Sequence, residues 1–148
     1  MVRFLFLVSF LAACSTSQPV DQSARAIQEI LKADKEMSEM TAASGFHKAL
    51  LAFAHDSLIK PEDGKLPIVG KQALEEDWKG KNGTKDISWV PTRVEAAMSG
   101  ELGYSFGNWK YVSPDTTFYG NYYTAWRKGK DGNWKWVIDG GNNTPAPH

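Results

Sequence analysis

The pattern of apolar and polar positions changes character once along the chain. Over "DQSARAIQEILKADKEMSEMTAAS", residues 21–44, Ile27, Ile30, Leu31, Met37 and Met40 recur three or four residues apart with charges between them, which predicts an amphipathic helix. Asp21 or Ser23 can cap its start and Gly45 stops it. A second, shorter helix is predicted over "FHKALLAFA", with Phe46, Leu50 and Phe53 on one stripe, ending at "HDS". "PEDGK" is a turn that leads into the apolar run "LPIVG", and "KQALEEDWK" is a third helical stretch closed by Gly80.

From Asp86 onward helical periodicity disappears, and β-branched and aromatic residues alternate between turn signals. "DISWVPTRVEAAM", "ELGYSFGNWKYV", "FYGNYYTAWRK" and "NWKWVIDG" are four strands joined by "SGE", "SPDT" and "KDG", connections short enough for hairpins. Five of the six tryptophans (Trp89, Trp109, Trp126, Trp134 and Trp136) and all five tyrosines fall in this half. Helices followed by a meander predict an α+β class with the helices laid on one face of an antiparallel sheet. The tail "NNTPAPH" is expected to fray.

The residues before the first helix set the compartment. "MVR" is followed by the ten-residue apolar run "FLFLVSFLAA"; spanning a bilayer as a helix takes about 20 residues, so this run reads as a signal-peptide core. "LAAC" resembles the lipobox of a bacterial lipoprotein, with Cys14 as the lipid-modified first residue after cleavage. The resemblance implies a membrane tether through Cys14, and Ser15, which is not an acid, favours the periplasmic side of the outer membrane over the inner one. The expected division is a signal peptide over 1–13, a linker over 14–22, one domain over 23–143 and a disordered tail over 144–148. Cys14 is the only cysteine, so the domain has no disulfide and must be held by packing. Its 148 residues suffice for a single core, and 17 acidic residues balance 17 basic ones, which argues against a nucleic-acid partner.

Three predicted helices, the hinge "DGKLPIVGKQAL", then "SWVPTRVEAAMSGELGYSFGNW" and "GNYYTAWRKGKDGNWKWVIDGGN", resemble the nuclear transport factor 2-like superfamily over roughly residues 24–143. Within it the likeness is to SnoaL-like and ketosteroid isomerase-like domains. The resemblance implies a strongly curved antiparallel sheet wrapped round a long helix, a cystatin-like roll, making a cone with an apolar pocket at its open end. Isomerases, dehydratases, cyclases, hydrolases and plain binding or dimerisation modules share that fold, so the fold alone fixes no reaction.

Candidate chemistry centres on two acids. Asp56, in "FAHDSL", lies where relatives often place a polar residue at the pocket mouth; a carboxylate in an apolar cavity can act as a proton-transferring base. A turn role beside Ser57 is the simpler reading and is favoured. Asp139 closes the apolar run "WVID" before two glycines, where an unpaired charge would be expensive to bury. With a two-residue turn, Lys130 pairs with Asn133 and Asp139 faces Thr124; with a three-residue turn and Gly132 left-handed, it faces Tyr123. Asp139 is then either a pocket acid or hydrogen-bond acceptor, or a strand-end residue bonded to the backbone of "GGNN". Tyr104, Trp109, Tyr123 and Trp126 are candidates to line a ligand cavity, or else to fill the core between sheet and helices.

His47 and His55 are eight residues apart, too far for a pair of metal ligands on one helical face, so no metal is expected. With no phosphate-binding glycine loop and no nucleophile motif, no cofactor is expected. The leading expectation is a lipid-anchored envelope domain holding a small, largely apolar ligand. The alternatives are an acid–base enzyme using Asp139 or Asp56, and a module that dimerises through the outer sheet face.

Overall fold

The computed structural model describes residues 20–147. Cys14, the apolar run before it and most of the linker lie outside the described residues. Three helices pack on one curved, unclosed sheet of six strands: α1 (Ser23–Ser44), α2 (Phe46–Phe53), β1 (Ala54–Lys60), β2 (Ile68–Val69), α3 (Lys71–Asp77), β3 (Ile87–Ala96), β4 (Leu102–Val112), β5 (Thr117–Lys128) and β6 (Trp134–Thr144). The strand order is β2-β1-β6-β5-β4-β3.

Helix α1 begins with the Ser23 N–H donating to Asp21 Oδ1 at 2.8 Å and ends at Gly45, whose φ of 102° is open to glycine at little strain. Its buried stripe is Ala26, Ile30, Ala33, Asp34, Met37 and Thr41, all at helical spacing. One member of that stripe is a carboxylate. Among the described residues, no helix is long and apolar enough to cross a membrane.

The sheet corrects the expected antiparallel meander in two places. The segment "AHDSLIK" does not end a helix; it forms β1, which pairs antiparallel with β2 and parallel with β6, so the sheet is mixed. Only Ala54 and Leu58 of that strand are buried, a spacing of four that reads as helical and hides the strand in sequence. At the other end β6 runs on to Thr144, with Asn142 opposite Asn121 and Thr144 opposite Tyr119, so the first part of the expected frayed tail is paired backbone. Pro91, which has no N–H to donate, sits in β3 at the sheet edge, next to a register shift between Pro91 and Arg93.

The β5–β6 hairpin resolves the two alternative registers by combining them. Its turn has three residues, Lys130 to Gly132, closed by the Gly129 N–H donating to the Asn133 carbonyl, with Gly132 at φ 80°. That turn pairs Trp126 with Trp136, and extended unchanged it would set Asp139 opposite Tyr123. A β-bulge intervenes: the next pair is Ala125 with Ile138, so Val137 is the extra residue and Asp139 comes to lie opposite Thr124. The bulge shifts the alternation by one position. Trp134, Trp136 and Asp139 are buried, whereas Ile138 is exposed.

Glycines on the inner face make room for rings from the next strand. A Cβ on Gly120 would stand 2.2 Å from the Trp109 ring opposite it, and one on Gly107 would stand 2.7 Å from the Tyr122 ring opposite it. Both rings therefore lie close over the backbone of the neighbouring strand.

Deleting Val137 should remove the bulge and leave Ile138 opposite Ala125 and Asp139 opposite Thr124, so that both keep their faces. In a Cys14→Ser background, a cysteine at position 138 should react quickly with a thiol reagent both in the otherwise intact chain and in the deletion. A slow reaction in the deletion would show that Val137 is not the extra residue of the bulge.

Candidate functional site

Curvature leaves a cavity of about 170 Å³ between the helices and the inner face of the sheet. Met37 from α1, Phe46 and Leu50 from α2, and Ile87 from β3 supply aliphatic and aromatic wall, and Trp89, Trp109 and Tyr122 supply flat rings. The polar side is narrow: Lys60 at the end of β1, Thr124 on β5, and Asp139 with Gly140 and Gly141 on β6.

The Lys60 ammonium lies 2.9 Å from Asp139 Oδ2 and also donates to the Asp139 carbonyl at 3.2 Å. The Thr124 hydroxyl donates to Asp139 Oδ1 at 2.9 Å. Both carboxylate oxygens are thus engaged, and the Lys60 and Asp139 side chains are only 14% and 11% exposed. A carboxylate this deep requires such partners, because desolvation without compensation would be prohibitive. Asp139 lines the cavity, and its carboxylate is bonded to Lys60 and Thr124 and not to the backbone of "GGNN".

A second carboxylate stands behind the cavity wall. Asp34, fully buried on α1, accepts from the Trp89 indole N–H at 2.6 Å and from the Tyr122 hydroxyl at 3.0 Å. Burial pushes its carboxyl up from the usual aspartate range, opposed by hydrogen bonds from Ser105, Trp89 and Tyr122. Burial, and after it the neighbouring Asp34, pushes the Tyr122 phenol up, so this hydroxyl keeps its proton. Asp34 is marked in the sequence only by its position, four residues after Ile30 and three before Met37 on the apolar stripe. Lys60 carries no comparable signal, because its role depends on a parallel pairing distant in sequence.

The remaining candidates separate by face. Trp109 lines the cavity and donates its indole N–H to the Asn121 carbonyl at 3.0 Å. Trp126 is wholly buried and donates to Ser105 Oγ at 2.9 Å, so it belongs to the core and not to the cavity wall. Tyr104 and Tyr123 are 38% and 44% exposed on the opposite face of the sheet, because they alternate with the inward residues Ser105, Tyr122 and Thr124. Asp56 is exposed on β1 beside Lys71, Gln72 and Glu75, away from the cavity.

An outer recess of about 410 Å³ adjoins the cavity and shares Phe46, Lys60, Gly140 and Gly141 with it. Glu62, Asp63 and Lys65 give it a charged rim, and His47 stacks on Trp78 there with ring centroids 4.2 Å apart. Burial lowers the His47 pKa, and its Nδ1 has no hydrogen-bond partner. Among the described residues, no group of three or more His, Cys, Asp or Glu side chains is placed to hold a metal ion.

Helices packed on a curved, open sheet around a cavity define the nuclear transport factor 2-like fold, and this chain has it. Solved structures with the same fold include a ketosteroid isomerase-like protein from Erwinia carotovora atroseptica, with a TM-score of 0.65 at 16% identity over 82% of this chain and 97% of that one. An NTF2-like protein with a cystatin-like fold from Novosphingobium aromaticivorans has a TM-score of 0.62 at 13% identity, over 84% of this chain and 85% of its own. A nuclear transport factor 2-like superfamily protein from Salmonella enterica serovar Typhimurium also has a TM-score of 0.62, at 11% identity over 84% of this chain and 95% of its own. No model of a known protein family matches the sequence, and neither does any curated protein.

Asp34→Ala should leave two buried donors without an acceptor and reduce stability by about 2–4 kcal/mol. Asp34→Asn should instead change the pH profile. Because the folded state holds this proton more tightly than the unfolded chain, the Asp34 contribution to stability falls as pH rises from 3.8 through the folded value. Urea denaturation over a pH series should show that fall in the parent and a flatter profile in Asp34→Asn. Parallel profiles would contradict the assignment.

Proposed function

We propose that this protein is a lipid-anchored domain of the bacterial cell envelope that binds a small, largely apolar molecule in the cavity between its helices and sheet. The observation that carries the binding reading is a cavity of about 170 Å³ walled by apolar and aromatic side chains, with one compact polar group, Lys60–Asp139–Thr124, at its edge. Apolar walls with a few convergent polar groups are the usual make-up of a small-molecule site. The anchor rests on the sequence around Cys14, where several acyl chains would hold a protein stably at a membrane and a single one would not.

Acid–base catalysis at the same place is the second reading, favoured by a carboxylate and an ammonium 2.9 Å apart inside an apolar cavity. Asp139 would be the proton acceptor, with Lys60 setting its position. The neighbouring isomerase-like structure is compatible with this reading but supplies no residue-level support. Self-association is a third, compatible property. Tyr104, Phe106, Tyr123 and Ile138 form an exposed apolar area on adjacent strands of the outer face, suited to a second copy of the chain.

Native mass spectrometry of the protein taken from its own host should find one small molecule bound, and recovery of the empty chain would count against the binding reading. If the recovered molecule comes back chemically changed after incubation with fresh protein, the catalytic reading gains. Cys14→Ser should block lipid attachment and leave unprocessed precursor; a variant still processed and still in the membrane fraction would refute the anchor. Phe106→Glu should shift any dimer seen by analytical ultracentrifugation to monomer, with little change in the inner cavity.

A further inference from the structure

We propose that the inner cavity takes a neutral, flat, single-ring molecule bearing one hydroxyl group, a phenol in the simplest case, with its ring among Trp89, Trp109 and Tyr122 and its hydroxyl at the Lys60–Asp139 pair. The inference rests on the cavity being a ligand site and adds the chemical class of the ligand.

Size sets the first limit. A dry, apolar cavity of about 150 Å³ holds one benzene, and this one, at about 170 Å³, has room for one ring and a small substituent but not for fused rings. Shape sets the second limit. Four of the wall residues, Phe46, Trp89, Trp109 and Tyr122, carry flat rings, and two of those are pressed over glycine backbone at Gly120 and Gly107, which suits an aromatic guest better than a branched aliphatic one.

Charge and hydrogen bonding set the third. Lys60 and Asp139 neutralise one another at the cavity edge, so a charged ligand would leave one of them uncompensated in a poorly hydrated place. Lys60 uses two of its three ammonium protons on the Asp139 carboxylate and carbonyl, leaving one donor. Each Asp139 oxygen already accepts one bond and has capacity for another. A hydroxyl, which both donates and accepts, matches that pair, whereas a hydrocarbon matches neither partner. Position agrees as well: Lys60, Gly140 and Gly141 line both the cavity and the outer recess, so the hydroxyl would sit at the junction and the ring beyond it.

The test is a titration with phenol, benzene, benzoate and 2-naphthol, followed by NMR at the indole N–H signals of Trp89 and Trp109 and the amide of Thr124. Phenol should bind about tenfold or more tighter than benzene, the factor expected for hydrogen bonding to a charged pair. Benzoate and 2-naphthol should each bind at least about tenfold more weakly than phenol, the first on charge and the second on size. In the double variant Lys60→Met/Asp139→Asn, which removes both charges together and leaves neither exposed to an empty partner, phenol and benzene should bind alike.

Benzene binding as well as phenol, or benzoate or naphthol binding better, would overturn the phenol class while leaving a ligand cavity in place. If none of the four moves these signals but native mass spectrometry of the host-derived protein finds another molecule bound, the class is wrong and the binding reading stands. If none binds and the host-derived protein is empty, both fail.

Discussion

A buried indole must hand its N–H to an acceptor, and in this molecule that requirement docks the helices on the sheet. Trp89 and Trp134 donate to Asp34 and Glu29 on α1, and Trp136 donates to the Leu50 carbonyl at 2.7 Å on α2. Apolar burial alone would let a helix slide over a curved sheet at small cost, since it is non-directional. Two of these directional bonds fix the azimuth and height of α1, and the third fixes α2. Lys128, 2.6 Å from Glu29, reinforces one end and with Trp134 holds the Glu29 carboxyl down at about 2. The cavity is the space that this docking leaves unfilled.

Much of this was legible from pattern. The long helix, its stop at Gly45 and the four later strands follow from periodicity and turn chemistry, because each is a local property of the chain. What escaped is non-local. "AHDSLIK" lacks clean alternation, its register against β6 shifting between Ala54 and Ile59, and nothing inside it announces a parallel partner. The facing of Asp139 depended on a bulge at Val137, beyond the turn, so neither simple register described it: the turn is the three-residue one and the pairing is that of the two-residue one. Tyr104 and Tyr123 followed the same rule in reverse, their side of the sheet being fixed by alternation against Ser105 and Thr124.

Two carboxylates with different surroundings divide the interior. Asp139 meets a cation and a hydroxyl and borders the cavity, whereas Asp34 meets only neutral donors and is sealed behind the ring wall. The first is suited to meet a guest. The second tethers Trp89 and Tyr122, two rings that a guest would touch, and so contributes shape without contact. A preformed wall of this kind spares a ligand the entropy of ordering side chains on arrival.

The pairing of Lys60 with Asp139 spans 79 residues of chain, and β6 is the last of the described strands to be made. During synthesis, α1, α2 and the β3–β4 hairpin can form before either side of the polar edge has its partner. Until β6 is added, β1 has no inner neighbour and Lys60 has no counter-ion. Contacts of such separation carry the largest loop-closure cost and tend to be slow to form. The sixth strand to leave the ribosome therefore completes the sheet and the polar edge of the cavity in the same event, and a chain cut short before Asp139 would have neither.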